Sequence, residues 1–185
     1  MRTMNLTREF KNDNLLTTME VRKSVPALVA LLVLVIAVIG IASLIGAMYP
    51  IQKSSNMRYP RASPPGVVFS VVWPVLYTLM ALGLWLLLTA SSSGMSADAR
   101  VAKTVAIVFF LLQLGLNYAW MPTYNNGKGA RQSLYILLGT LAATLVVCFA
   151  SVGAGQWGAS AALAPYVAWL VFALYLNADS VETVK

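Results

Sequence analysis

Five apolar stretches, each about 20–25 residues long and nearly free of charge, alternate with polar connections along this 185-residue chain. They cover about 26–48, 66–90, 100–120, 131–152 and 159–178. At about 1.5 Å per residue, each helix can cross a hydrocarbon layer about 30 Å thick. In lipid a backbone must satisfy its own hydrogen bonds, so such stretches form helices. The pattern therefore predicts an all-α membrane domain over 26–178, a bundle of five transmembrane helices, with polar tails at 1–25 and 179–185.

The breaks follow from local chemistry. Pro26 suits a helix N-terminus, where its missing N–H costs nothing. The connection at 49–65 carries Pro50, Pro60, Pro64 and Pro65, which exclude a regular helix; it is either a plain connector or an ordered functional loop. Pro74 falls inside the second span and should bend it. SSSGMSADA makes a turn with Asp98 as the expected helix cap, MPTYNNGKG is a loop with an Asn-Asn-Gly turn, and GAGQWG is a Gly-rich turn. The 1–25 segment mixes both charges and reads as a tail or a short surface helix. It is too long for a secretory n-region and acidic for a transit peptide, although a mitochondrial address stays open.

Composition agrees with the pattern. The chain is 59% hydrophobic and only 10% charged, whereas a soluble domain carries about 25% charged residues. Net charge is +7, but the basic residues lie in tails and loops rather than on a stripe, which argues for headgroup contact and against nucleic acid. On one side of the membrane fall Arg2, Arg8, Lys11, Arg22, Lys23, Arg100 and Lys103. Lys53, Arg58, Arg61, Lys128, Arg131 and Lys185 fall on the other, so charge barely sets orientation, with a slight bias to an inside N-terminus. Membrane compartment stays open between the mitochondrial outer membrane, the secretory pathway and a bacterial membrane. The single cysteine, Cys148, forbids an intrachain disulfide. With no histidine, the commonest general base and metal ligand are missing; no metal site and no catalytic residue are expected.

The candidate chemistry lies within the spans. Trp73 and Tyr77 are four apart and share a helix face, as do Gln113 and Asn117, with Trp120 three further on. Tyr166 and Trp169 are three apart in the fifth span. An amide in hydrocarbon costs a few kcal/mol without a partner, so Gln113 and Asn117 should face inward, bonded to another helix or to a ligand. Trp120 serves equally as an interfacial anchor, and Trp157 reads as an anchor in its turn.

Four segments resemble the translocator protein/tryptophan-rich sensory protein (TspO/MBR, peripheral benzodiazepine receptor) family. The second span matches its Pro-Pro…F…VW…LY…M pattern with Pro64, Pro65, Phe69, Val72, Trp73, Leu76, Tyr77 and Met80. LQLGLNYAWMP resembles its third span, GARQ the entry to its fourth, and APYVAWLVFALYLN its fifth, in order and at family spacing. The resemblance implies a five-helix bundle, usually a homodimer, whose pocket opens toward a lid formed by 49–65. Implied ligands are porphyrins or haem, sterols and benzodiazepine-type drugs, with no fixed cofactor. Trp73, Tyr77, Asn117, Trp120 and Trp169 would line the pocket, with Tyr166 near them. Arg58 and Arg61 in the lid, beside Pro64 and Pro65, could meet a porphyrin's propionates by charge. Gly115 and Ala119 form a small-xxx-small pair that serves either a dimer face or packing within one bundle.

The chain departs from the family in four places, one of them a third loop, through NNGK, that is longer than usual. Asn56, Met57, Arg58 and Tyr59 stand where a Trp-Tyr pair is common. Gly139 stands where animal members carry an acid. Tyr175 has no basic residue before Lys185, against the family's sterol motif. The expected function is a membrane receptor or carrier for tetrapyrroles and related flat lipophiles. The alternatives are light-dependent porphyrin degradation through pocket tryptophans, implied by some bacterial relatives, and a structural role in a membrane complex.

Overall fold

The computed structural model describes residues 2–50, 63–125 and 129–182. The chain forms five helices: α1 (Arg2–Met48), α2 (Gly66–Thr89), α3 (Ala97–Asn125), α4 (Gly129–Gly153) and α5 (Trp157–Glu182). All five are long and apolar enough to cross a membrane. The helices are arranged in a ring of order α1, α2, α5, α4, α3. The broadest contact is α3 on α4, followed by α4 on α5; α3 touches α1 and α2 only lightly.

Three boundaries differ from the sequence-based expectation. α1 starts at Arg2 rather than near Pro26, because no glycine or proline interrupts residues 2–25; Pro26 sits within the helix. α3 continues through Pro122 to Asn125, where a loop was expected. The Thr123 hydroxyl donates to the Ala119 carbonyl at 2.8 Å, and Tyr124 stacks on Trp120 one turn back, with ring centroids 5.0 Å apart. A hydroxyl bonding back to its own turn is a common support for a proline-containing membrane helix. α5 runs on to Glu182, since no breaker follows Asn177. Asn126, Gly127 and Lys128, the centre of the expected third turn, lie outside the described residues.

The cap of α3 is Ser96 rather than Asp98. The Ser96 hydroxyl accepts from the Ala99 amide at 3.1 Å, and Asp98 instead places its charge in the first turn, where the helix dipole favours it. Lys103 reaches across from α3 and donates its ammonium to the Ala90 carbonyl at the end of α2. α4 ends through Gly155, with φ of 73°; the Gln156 amide returns to the Ser151 carbonyl at 2.7 Å and the Gly155 amide to the Val152 carbonyl at 2.9 Å. That pairing satisfies the last carbonyls and turns the chain directly into α5. Trp157 then starts α5 and is 68% exposed, a placement suited to the headgroup layer.

The two ends of the bundle are packed differently. At the end holding the 90–96 and 154–156 turns, Met80, Leu87, Phe110, Val147, Ala159 and Leu163 are all fully buried in one apolar core. Buried hydroxyls there spend their hydrogen bonds on their own helix: Thr144 donates to the Thr140 carbonyl and Ser151 to the Val147 carbonyl. A methyl added at Gly83 would stand 3.3 Å from the Ala159 carbonyl oxygen, so α2 and α5 approach here as closely as glycine permits. The opposite end, where α1 ends and α2 begins, is open inside.

Gly83→Val should overpack this contact and lower stability by about 1–3 kcal/mol. Gly40→Val, at a site with no atom within 4 Å of an added Cβ, should change it little. Thermal melts of both variants in detergent, followed by circular dichroism, check the difference; equal melting temperatures would refute the close approach.

Candidate functional site

The open half of the bundle encloses a cavity of about 970 Å³. Its two sides have different origins. On α2, Phe69, Trp73 and Tyr77 recur at spacing four, so one face of the helix is aromatic for two turns. On α1, Ile39, Ala42, Ser43, Ile45 and Gly46 line the void, and three of these five are small. Opposing rings to small side chains leaves a void that neither wall can fill without moving a backbone. α3 adds Asn117, Tyr118, Trp120, Met121 and Tyr124; α5 adds Trp169, Leu170, Ala173, Leu176 and Asn177; α4 contributes Leu137.

The rings contact one another. Trp73 stacks on Tyr77, centroids 5.2 Å apart at 28°. Trp169 makes T-shaped contacts with Trp73 at 6.2 Å and with Phe69 at 5.6 Å, and touches Phe172 at 5.6 Å. Such pairs contribute about 0.5–1.5 kcal/mol each beyond burial. The indole N–H groups of Trp120 and Trp169 are buried and have no acceptor among the described residues, so packing alone holds these rings.

The polar centre of the site is Asn117, 7% exposed. Its Oδ1 accepts from the Tyr77 hydroxyl at 2.9 Å, and its Nδ2 donates to the Tyr166 hydroxyl at 2.9 Å. One amide thus ties α2, α3 and α5 together at the floor of the cavity. A primary amide has two N–H donors and two acceptor lone pairs, so one of each remains after these bonds. Next to it the Tyr118 hydroxyl donates to the Val38 carbonyl at 2.8 Å and attaches α1. Farther along, Asn177 Nδ2 donates to Ser133 Oγ at 3.0 Å, joining α5 to α4.

The sequence-predicted residues divide as follows. Trp73, Tyr77, Asn117, Trp120 and Trp169 meet around the one cavity. Tyr166 does not line it: the residue is fully buried behind Asn117. Three positions along a helix is about 300° of turn, which swings Tyr166 into the core while Trp169 faces the void. Pro64 lines the mouth, and Pro65 precedes α2, its carbonyl accepting from the Val68 amide at 2.9 Å. Arg58 and Arg61 lie outside the described residues. Gly115 faces outward with nothing within 4 Å of an added Cβ, and Ala119 is half-buried, so the pair is not used in packing this bundle at Gly115. Gln113 turns inward as expected and is fully buried, yet neither its Nε2 nor its Oε1 has a hydrogen-bond partner among the described residues.

Sequence reasoning missed Tyr118, Tyr124 and the small face of α1. The last had a signal: Ala42, Ser43 and Gly46 recur at helical spacing in a segment otherwise rich in Leu, Ile and Val. Tyr124 was hidden by Pro122, which reads as a helix end.

Comparison with known proteins identifies the same pattern. The profile of the TspO/MBR family matches residues 24–181. The chain is 31% identical over 128 residues to the translocator protein of Ovis aries, covering 66% of this chain and 69% of that protein. It is 32% identical over 143 residues to the translocator protein homolog of Schizosaccharomyces pombe, covering 72% and 79%. It is 30% identical over 147 residues to the tryptophan-rich protein TspO of Archaeoglobus fulgidus, covering 78% and 89%.

The two buried amides of α3 should respond oppositely to removal. Asn117→Leu strands two tyrosine hydroxyls and should cost about 1–3 kcal/mol. Gln113→Leu removes an amide with no hydrogen-bond partner among the described residues and should be neutral or stabilising. Denaturation midpoints in matched detergent decide this; a Gln113→Leu loss as large as that of Asn117→Leu would show that the amide holds a partner.

Proposed function

The chain belongs to the TspO/MBR family of membrane proteins, as a multi-pass integral membrane member, and on that premise we propose that it is a receptor or carrier for porphyrins and related flat lipophilic molecules. The observation that carries the proposal is the two-sided cavity: stacked and edge-on rings from α2 and α5 opposite a small-residue face of α1. Its volume of about 970 Å³ lies at the upper end of the range for small-molecule sites, about 300–1,000 Å³. Flat ligands present large apolar faces and gain most from ring walls.

The residues then take distinct parts. Trp73, Tyr77 and Trp169 supply the faces and edges against which a ring plane lies. Asn117, held in place by Tyr77 and Tyr166, offers its remaining N–H or lone pair to a carbonyl, carboxylate or pyrrole group. Trp120 and Tyr124, stacked together, form the wall on α3. Carriage requires release as well as capture, and a site built mainly on dispersion, with few polar contacts, suits a ligand that must leave.

A tryptophan-quenching titration with protoporphyrin in detergent tests the reading. Wild type should bind near micromolar, about −8 kcal/mol. Trp169→Ala and Asn117→Ala should each weaken binding by about tenfold or more, the loss of ~1.4 kcal/mol. Equal affinity in all three proteins would reject the site. Loss of porphyrin fluorescence under illumination, with none in the dark, would assign turnover in place of carriage.

A further inference from the structure

A second hollow lies on the outside of the bundle. Between α2 and α5, Val71, Val75, Pro165 and Ala168 border an almost wholly apolar groove of about 480 Å³. Val71 and Val75 are 61% and 54% exposed, and Pro165 and Ala168 are exposed too, so the groove faces the hydrocarbon of the bilayer. Trp169 lines both this groove and the internal cavity and, among the described residues, is the one common to the two linings. Its ring is the partition between them.

That partition has no polar anchor among the described residues. The Trp169 N–H has no acceptor among the described residues, so turning the ring breaks no hydrogen bond. The rings beside it, Phe69, Trp73 and Phe172, meet it by edge or tilted contact rather than full stacking, and a rotated indole can re-form such contacts. Ala168 and Ala173, small residues that line the groove and the cavity respectively, leave room on either side of the ring.

Given the ligand reading of the cavity, on which this step rests, we propose that the groove is an entry vestibule: a flat apolar molecule dissolved in the bilayer seats against the outer face of Trp169 and passes laterally between α2 and α5 as that ring turns. The occupant is a lipid-dissolved aromatic ligand rather than an aqueous one. The groove has almost no polar surface to strip water from a hydrated molecule, and apolar solutes concentrate in the hydrocarbon phase.

Bulk added in the groove should slow passage and leave the cavity intact. Ala168→Phe and Val71→Phe fill the vestibule from its two helices without adding an indole; both sites face lipid, so folding tolerates them. Protein in lipid nanodiscs is mixed with vesicles preloaded with protoporphyrin, and quenching is followed by stopped flow, with release measured by competition. Association and dissociation should both slow by about tenfold, as a modest added barrier does, while equilibrium affinity stays within about twofold of wild type. Wild-type rates at unchanged affinity in both variants would overturn lateral entry and leave the ligand reading standing. A large affinity loss in both would show that the groove is part of the binding site and likewise overturn the route. Absence of quenching in wild type would overturn the ligand reading and the route with it.

Discussion

The architecture depends on how a single amide is satisfied in a medium without water. Asn117 sits in a helix that crosses hydrocarbon, where an unpartnered amide costs a few kcal/mol. Its two bonds, from the Tyr77 hydroxyl and to the Tyr166 hydroxyl, belong to different helices, so satisfying it fixes α2, α3 and α5 at one level. On one side of that level the chain packs solidly around Met80, Phe110 and Leu163. On the other the helices stay apart and enclose the cavity. The Tyr118 bond to the Val38 carbonyl attaches α1, whose other described side chains are mostly exposed and which would otherwise rest on weak contacts.

The void persists because its walls cannot collapse into it. Rings are stiff and wide, and Trp73, Tyr77 and Trp169 already rest on one another. Of the α1 residues that face them, Ala42, Ser43 and Gly46 are short. The Tyr118 hydroxyl, bonded to the Val38 carbonyl, holds α1 to α3 beside the gap. A pocket maintained this way suits ligands that are broad, thin and apolar. Trp169 is the ring of this wall that also lies against the outer groove, and its indole N–H has no acceptor among the described residues.

Much of this was legible in the sequence because membrane helices have a strict length and polarity requirement. Five spans, the inward amides at 113 and 117, and the shared face of Trp73 and Tyr77 all follow from charge-free runs and helical spacing. What was not legible depends on rotation and on neighbours. Tyr166 and Trp169 are near in sequence, but one enters the core and the other the cavity. Pro122 reads as a terminator, yet the Thr123 hydroxyl and the Trp120–Tyr124 stack accompany the helix past it. The small face of α1 gains meaning only once the aromatic wall opposite is known. Gln113 shows the limit of the polar rule: it turns inward as expected, but which group, helix or ligand, its amide bonds is not legible, and none is present among the described residues.

The central claim is spatial, that a flat apolar molecule occupies the space between the α2–α5 rings and the small face of α1. Anomalous scattering from crystals grown with a brominated planar aromatic ligand locates the halogen directly. The account predicts a bromine peak inside the bundle, flanked by Trp73 and Trp169 and on the cavity side of Asn117. Bromine found only on the outer, lipid-facing surface, with the interior free of it, would contradict the account.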